Sequence, residues 1–293
     1  MMKLKNLFVL ALAALTFASC GDDEEVSTTD TLSLNITGLE DLGSDYAYEG
    51  WILVDGAPVT TGTFSVDANG ALSKTSFELD ATQLDQATAF ILTIEPSPDS
   101  DPAPSDVHIL AGDFSGTDAT LSLSHSAAIG DDFTSSTGKY ILATPTDGEN
   151  NNENSGVWWL DTATGPGPGL SLPTLPAGWK YEGWAVIGGT PISTGTFTSA
   201  SGADASAPFS GAMGGPAFPG EDFLQNAPAG VTFPTDLAGA TVVISVEPSP
   251  DNSPNPFLLK PLVGAVATDA VDHTVYGMDN NAGNTNPSGT ATK

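Results

Sequence analysis

The tetrapeptide Tyr48-Glu49-Gly50-Trp51 returns as Tyr181-Glu182-Gly183-Trp184, and the text around it returns with it. Pro58-Val59-Thr60-Thr61-Gly62-Thr63-Phe64 follows the first copy and Pro191-Ile192-Ser193-Thr194-Gly195-Thr196-Phe197 the second, both at an offset of 133 residues. Further on, Ile94-Glu95-Pro96-Ser97-Pro98-Asp99 is echoed by Val246-Glu247-Pro248-Ser249-Pro250-Asp251. A duplication of this extent means that one scaffold is built twice, so two similar folds are expected.

The periodicity inside the repeat is that of strands. Leu32, Leu34 and Ile36 alternate with Ser33, Asn35 and Thr37, the pattern of a strand with one buried face. In Tyr48 to Val54, Trp51 and Leu53 point one way and Ile52 and Val54 the other, which predicts a central strand covered on both sides. Asp55-Gly56 supplies a tight hairpin turn, and Ala89 to Glu95 is a further strand halted by Pro96. With 32 Gly and 22 Pro punctuating short apolar runs, the expected fold class is all-β, two tandem antiparallel β-sandwich-like units.

The first twenty residues read as an address. Lys3 and Lys5 precede the apolar run Leu7 to Leu15, and Phe17-Ala18-Ser19 gives a small-residue cleavage context before Cys20, the single cysteine. Its position resembles the lipobox of bacterial lipoproteins, with Phe17 where leucine is usual, so Cys20 is the expected lipidated residue; the alternative is a plain secretory signal with an incidental cysteine. A diacylglycerol thioether plus an N-acyl chain suffices for stable anchoring. The four carboxylates Asp22-Asp23-Glu24-Glu25 are a solvated tether, and they also resemble an export signal to the outer face of the outer membrane. The expected location is the outer membrane, lipid-anchored and cell-surface, with the periplasmic face as the alternative. Lys and Arg total 7 against 36 acidic residues, a net charge of -29 that repels phosphate backbones and excludes nucleic acid as a partner.

Gly165-Pro166-Gly167-Pro168-Gly169 suits neither helix nor ladder and reads as a linker. The expected organisation is a signal peptide at 1–19, an acidic tether at 20–31, a first β unit at 32–164, the linker at 165–169, a second β unit at 170–278 and a disordered tail at 279–293. Two strand-like runs, Lys139 to Thr144 and Val157 to Leu160, have no counterpart after the second copy, so they either complete the first unit or bridge the two. From Trp51 to Glu95 is 44 residues and from Trp184 to Glu247 is 63; the surplus lies in Gly, Ala and Pro-rich text between Ala200 and Pro234, read as an inserted loop.

The order Tyr-Glu-Gly-Trp, Pro-Val-Thr-Thr-Gly-Thr-Phe, a strand ending in Glu95-Pro96, a proline-rich loop and Ile109-Leu110-Ala111-Gly112 resembles the C-terminal extracytoplasmic domain of anti-sigma-K factors, over most of each repeat. The resemblance implies an all-β extracytoplasmic module of envelope signalling and brings no catalytic residues. The cytoplasmic sigma-binding domain and transmembrane helix of that family have no counterpart in this sequence, so direct contact with a sigma factor is not expected.

Other constellations point away from catalysis. His108, His125 and His273 lack metal spacing, and neither a Gly-x-Ser-x-Gly elbow nor a phosphate-cradling Gly-x-x-x-x-Gly-Lys loop occurs. Glu49 with Glu95, and Glu182 with Glu247, are conceivable acid and base pairs, but glutamates at strand positions are more often satisfied by backbone amides. No cofactor is expected, with calcium the one candidate ion: Asp99, Asp101 and Asp106 share a loop, although that loop lacks the fixed glycine and terminal glutamate of the calcium-loop pattern. Trp158 and Trp159 are candidate ligand contacts, since adjacent strand residues face opposite ways; an outward indole could stack on a sugar, unless both are covered. The expected function is a non-enzymatic, lipid-anchored envelope or surface module that binds a protein or glycan partner. The alternative is a sensor lipoprotein acting on an envelope sigma/anti-sigma pathway through a membrane-spanning partner.

Overall fold

The computed structural model describes residues 28–251 and 253–293, so Cys20, the signal-like segment and most of the acidic tether lie outside the described residues. The chain is all-β. It opens with β1 (Thr29–Thr37), β2 (Tyr46–Val54), β3 (Ala57–Phe64) and β4 (Ser76–Asp80), then the short helix α1 (Ala81–Gln86), β5 (Ala89–Pro96), β6 (His108–Ser115) and β7 (Asp118–Leu121). There follow β8 (Thr137–Leu142), β9 (Gly156–Trp158), and three two-residue strands, β10 (Leu160–Asp161), β11 (Gly167–Pro168) and β12 (Leu170–Ser171). The second copy supplies β13 (Trp179–Ile187), β14 (Thr190–Phe197), β15 (Gly220–Asp222), β16 (Thr241–Pro248), β17 (Leu262–Ala265) and β18 (Tyr276–Asn280), and the chain closes with α2 (Ala282–Thr285) and β19 (Ser288–Thr292).

Two large antiparallel sheets result, in the orders β3-β2-β5-β6-β7-β19-β1-β4 and β14-β13-β16-β17-β18-β8-β9-β15, with β12 also paired to β8. In each the outermost strands come together, β3 against β4 and β14 against β15, so each sheet curls into a nearly closed barrel. Closure removes the open edges that an eight- or nine-stranded sheet would otherwise present.

The two orders superimpose the repeats, and they expose an exchange. The sixth place of the first sheet is held by β19, from the end of the chain, while the sixth place of the second is held by β8, which directly follows the first repeat. Each repeat thus gives its last strand to the other barrel. The two crossing segments run beside each other: the Asn280 side-chain amide donates to the Phe133 and Ser136 carbonyls at 2.8 and 3.0 Å, and that of Asn286 to the Asp132 carbonyl at 2.7 Å.

This exchange corrects three expectations. The segment 279–293 is not a disordered tail: β19 pairs with β1 over Ser33 to Thr37 and with β7 over Asp118 to Leu121, and Ala291 is fully buried. Its Asn, Gly and Thr-rich text looks unstructured only because its ladder partners are distant in sequence. The runs at 139–144 and 157–160 neither complete the first unit nor bridge the two; they build the second barrel. The Gly/Pro stretch is partly ordered as well, since Gly167 and Pro168 pair with Asp161 and Leu160 at a two-stranded edge.

The local readings hold. Leu32, Leu34 and Ile36 are buried while Ser33, Asn35 and Thr37 are exposed. Five consecutive residues of β2 are buried: Ile52 and Tyr48 face the main core, while Trp51 packs outward with Ile91, Ala111 and Ala128 under the loop after β7. Asp55 and Gly56 both have positive φ and close the β2–β3 hairpin; Gly188 and Gly189 do the same for β13–β14.

Candidate functional site

The repeated tetrapeptide has a structural meaning residue by residue. The tyrosine hydroxyl ties down the chain eight residues upstream, Tyr48 to the Glu40 carbonyl at 3.1 Å and Tyr181 to the Pro173 carbonyl at 2.7 Å. The glycine sits at a β-bulge between Gly50 and Trp51, and again between Gly183 and Trp184. A Cβ there would lie 2.4 Å from the Thr61 or Thr194 hydroxyl, and 2.9 Å from the Phe90 ring in the first barrel or 2.4 Å from the Trp159 ring in the second. The tryptophan then donates from Nε1 to the next strand, Trp51 to Thr93 Oγ1 at 2.9 Å and Trp184 to Ser245 Oγ at 2.8 Å. Both Ser-Pro bonds of the proline-rich loops, Ser97-Pro98 and Ser249-Pro250, are cis.

The glutamate of the tetrapeptide belongs to a polar cluster. Glu49 accepts from the Thr60 hydroxyl and Glu182 from the Ser193 hydroxyl, across the β2–β3 and β13–β14 pairs. Glu95 accepts from the Ser105 amide at 2.9 Å; Glu247 accepts from the Phe257 amide at 2.9 Å and from the Ser245 hydroxyl. In the second barrel one oxygen each of Glu182, Glu247 and Asp251 lies within 4.8 Å of the others. Burial raises the Glu182 carboxyl to about 7 and that of Glu247 to about 8, against the hydroxyl and amide hydrogen bonds that favour the ionised form.

Of these glutamates Glu247 lines a cleft of about 470 Å³ at the seam between the barrels. The first barrel contributes the loop Glu40 to Tyr46 with Ile94 and Val107; the second contributes Glu247 to Asp251 and Phe257. The seam is tight next to the cleft. Gly178, at φ +83°, lies where a Cβ would come within 2.4 Å of the Asp106 carbonyl, and Trp179 Nε1 donates to the His108 carbonyl at 3.2 Å. Burial also raises Glu40 to about 7, opposed by Lys260 and by the Leu258 amide, while burial lowers Lys260. The Lys260 ammonium donates to the Phe257 carbonyl at 2.6 Å.

The other sequence-predicted sites fall elsewhere. Asp99 and Asp101 spend an oxygen each on the amides two residues ahead, and neither they nor Asp106 belong to the carboxylate group that converges. Neither indole of Trp158-Trp159 faces solvent, being 4% and 0% exposed, which removes the sugar-stacking reading. Trp159 fills the second barrel beneath Gly183. Trp158 donates to Asp222 at 2.8 Å under the glycines of the insert, with Gly215 and Gly220 against its ring. His108 contacts the Ala127 carbonyl and His125, 3.4 Å from Asp113, accepts from the Ala127 amide, while His273 bonds Asp272 elsewhere; none of them belongs to the carboxylate group that converges.

Sequence reasoning missed the insert's contribution. Asp204, Glu221 and Asp222 are drawn together at its base, Glu221 and Asp222 fully buried, with Asp222 accepting from the Thr146 amide and hydroxyl at 2.8 and 2.5 Å. The available signal was Glu221-Asp222, two adjacent acids before Phe223 in text almost free of charge.

Among the described residues no helix is long and apolar enough to cross a membrane. No curated protein and no solved structure matches the chain. Residues 24–107, from the tether through β5 to the edge of β6, match the family model described as anti-sigma-K factor rskA, C-terminal, so the first repeat is anti-sigma-factor-like.

Proposed function

We propose that the protein is a non-enzymatic, lipid-anchored β module of the outer-membrane surface, which recognises a protein or glycan partner at the seam cleft. One observation carries the recognition site: the seam is where the end of the family-matching segment, the proline-rich loop of the second repeat and a cavity of about 470 Å³ coincide. Such concave, mixed apolar and polar surfaces at domain junctions are where ligands are usually held. The anchor rests on Cys20 and the apolar run before it, and the surface address on the acids after it. No cofactor takes part in recognition on this reading.

The match of residues 24–107 favours a second reading, a sensor lipoprotein that acts on an envelope sigma/anti-sigma pathway through a membrane-spanning partner. Protease shaving of intact cells separates the two, with a periplasmic protein as leakage control. Loss of the chain while the control survives supports surface recognition; protection of the chain overturns surface display and leaves the periplasmic sensor. Replacing Cys20 with Ser and following acyl-chain labelling tests the anchor, which fails if the label persists.

A further inference from the structure

The first-repeat loop of Asp99, Asp101 and Asp106 was the candidate place for calcium, but the carboxylates that meet are in the second barrel. We propose that Glu182, Glu247 and Asp251 form a calcium site in the second-barrel wall of the seam cleft. One oxygen from each lies within 4.8 Å of the other two. Calcium binds oxygen at 2.3–2.6 Å in flexible geometry, so oxygens up to about 5 Å apart can touch one ion, whereas magnesium demands near-octahedral geometry at about 2.1 Å.

An independent observation points to a ligand at this cluster. Glu182 is 5% exposed, and its Oε2 is buried with no hydrogen-bond partner among the described residues. Its Oε1 is held by the Ser193 hydroxyl, which leaves Oε2 as the oxygen for a ligand. An orphaned buried carboxylate oxygen is costly, and a cation beside it removes the cost.

The surroundings suit an ion that enters from solvent. Glu247 and Asp251 line the cleft, Asp251 is exposed at its mouth, and the cleft has room for the waters that complete six to eight ligands. Glu182 and Asp251 act on Glu247, Asp251 acts on Glu182, and Lys260 faces both Glu247 and Glu40; the Lys260 ammonium already donates to the Phe257 carbonyl. In the first repeat the corresponding Glu49, Glu95 and Asp99 are not among the groups that converge. One such site follows among the described residues. The inference goes beyond the recognition reading and does not depend on where the chain is displayed.

The test is calorimetric titration of calcium into the purified full chain after chelator treatment, for the wild type, Glu182→Gln, Asp251→Asn and Asp99→Asn. The expected result is one ion per chain with Kd in the range of about 10⁻⁴–10⁻³ M typical of extracellular modules. Affinity is expected to fall at least about tenfold in Glu182→Gln and in Asp251→Asn, with Asp99→Asn unchanged and magnesium weaker. Asp251 is an exposed loop residue, so its variant keeps the test open if Glu182→Gln does not fold. Absence of saturable calcium binding to the wild type below about 10 mM overturns the proposal. So does binding that both site variants retain, or that Asp99→Asn abolishes equally.

Discussion

Replacing Glu247 with Gln should change how stability depends on pH more than it changes stability itself. The Glu247 side chain is 1% exposed, and burial lifts its carboxyl from 4.5 to about 8. The folded state therefore holds this proton more tightly than the unfolded chain does. The stabilisation is fully present below about pH 4.5 and is lost as pH rises through about 8. Between pH 4 and pH 7 this one group should remove about 3 kcal/mol from the free energy of unfolding, approaching about 5 kcal/mol by pH 9. Gln keeps the neutral shape: its carbonyl can accept from the Phe257 amide and the Ser245 hydroxyl as Glu247 Oε1 does. The variant should then be close to wild type at pH 4 to 5 and more stable than wild type at pH 8. The assay is urea denaturation of both proteins at four pH values between 5 and 8 with chelator present. Glu182 and Glu40, also raised to about 7, keep a falling trend in both proteins, so the informative quantity is the difference between them. Curves that stay parallel across this range, within about 0.5 kcal/mol, would refute the claim that Glu247 is a proton-holding buried acid.

Ending the chain after Asn286 removes β19 from between β7 and β1 and leaves two unpaired edges, together with the loss of Lys293 from the Asp85 and Ala87 carbonyls. At about 1 kcal/mol for each lost ladder bond, the cost is on the order of 5 kcal/mol, read as a collapse of amide protection in β1 and β7 by hydrogen exchange; unchanged protection in both strands counts against the exchange of strands. Gly183→Ala puts a methyl 2.4 Å from the Thr194 hydroxyl and the Trp159 ring and should cost about 1–3 kcal/mol in urea denaturation, where a neutral result contradicts the close packing. Trp184→Phe removes the 2.8 Å bond to Ser245 and should cost about 1–3 kcal/mol, whereas Trp158→Phe strands the fully buried Asp222 and should cost as much or more; equal stability of either variant to wild type argues against that bond.

The parts of the fold that were legible are those written in short-range text. Alternation in β1, the two-sided burial of β2, the Asp55-Gly56 turn and the stop at Pro96 all follow from periodicity and turn chemistry. The duplication made the two β units legible as well, read as sandwich-like, while their near-closure into barrels depends on β3 meeting β4 and β14 meeting β15. What could not be read was which barrel a strand joins. β8 and β19 carry ordinary strand or loop composition, and their destinations depend on pairings such as Ser33 with Thr292, which no local pattern records. The candidate site divides in the same way. Glu182 and Glu247 stood out through their repeated motifs, but that they meet Asp251 rather than act as a separate pair depends on the Ser249-Pro250 loop and the seam. The indoles of Trp158 and Trp159 looked like surface candidates because the insert that covers Trp158 lies more than fifty residues downstream, in text without periodicity.

The account places recognition at the seam cleft, and site-specific photocrosslinking on intact cells tests that most directly. A photoreactive residue at Ser44 and at Ser253, on opposite walls of the cleft, is compared with one at Val271, 61% exposed and outside it. The account predicts a discrete adduct from both cleft positions and none from Val271. Adducts from Val271 alone, or none from either cleft position in cells that display the chain, would contradict it.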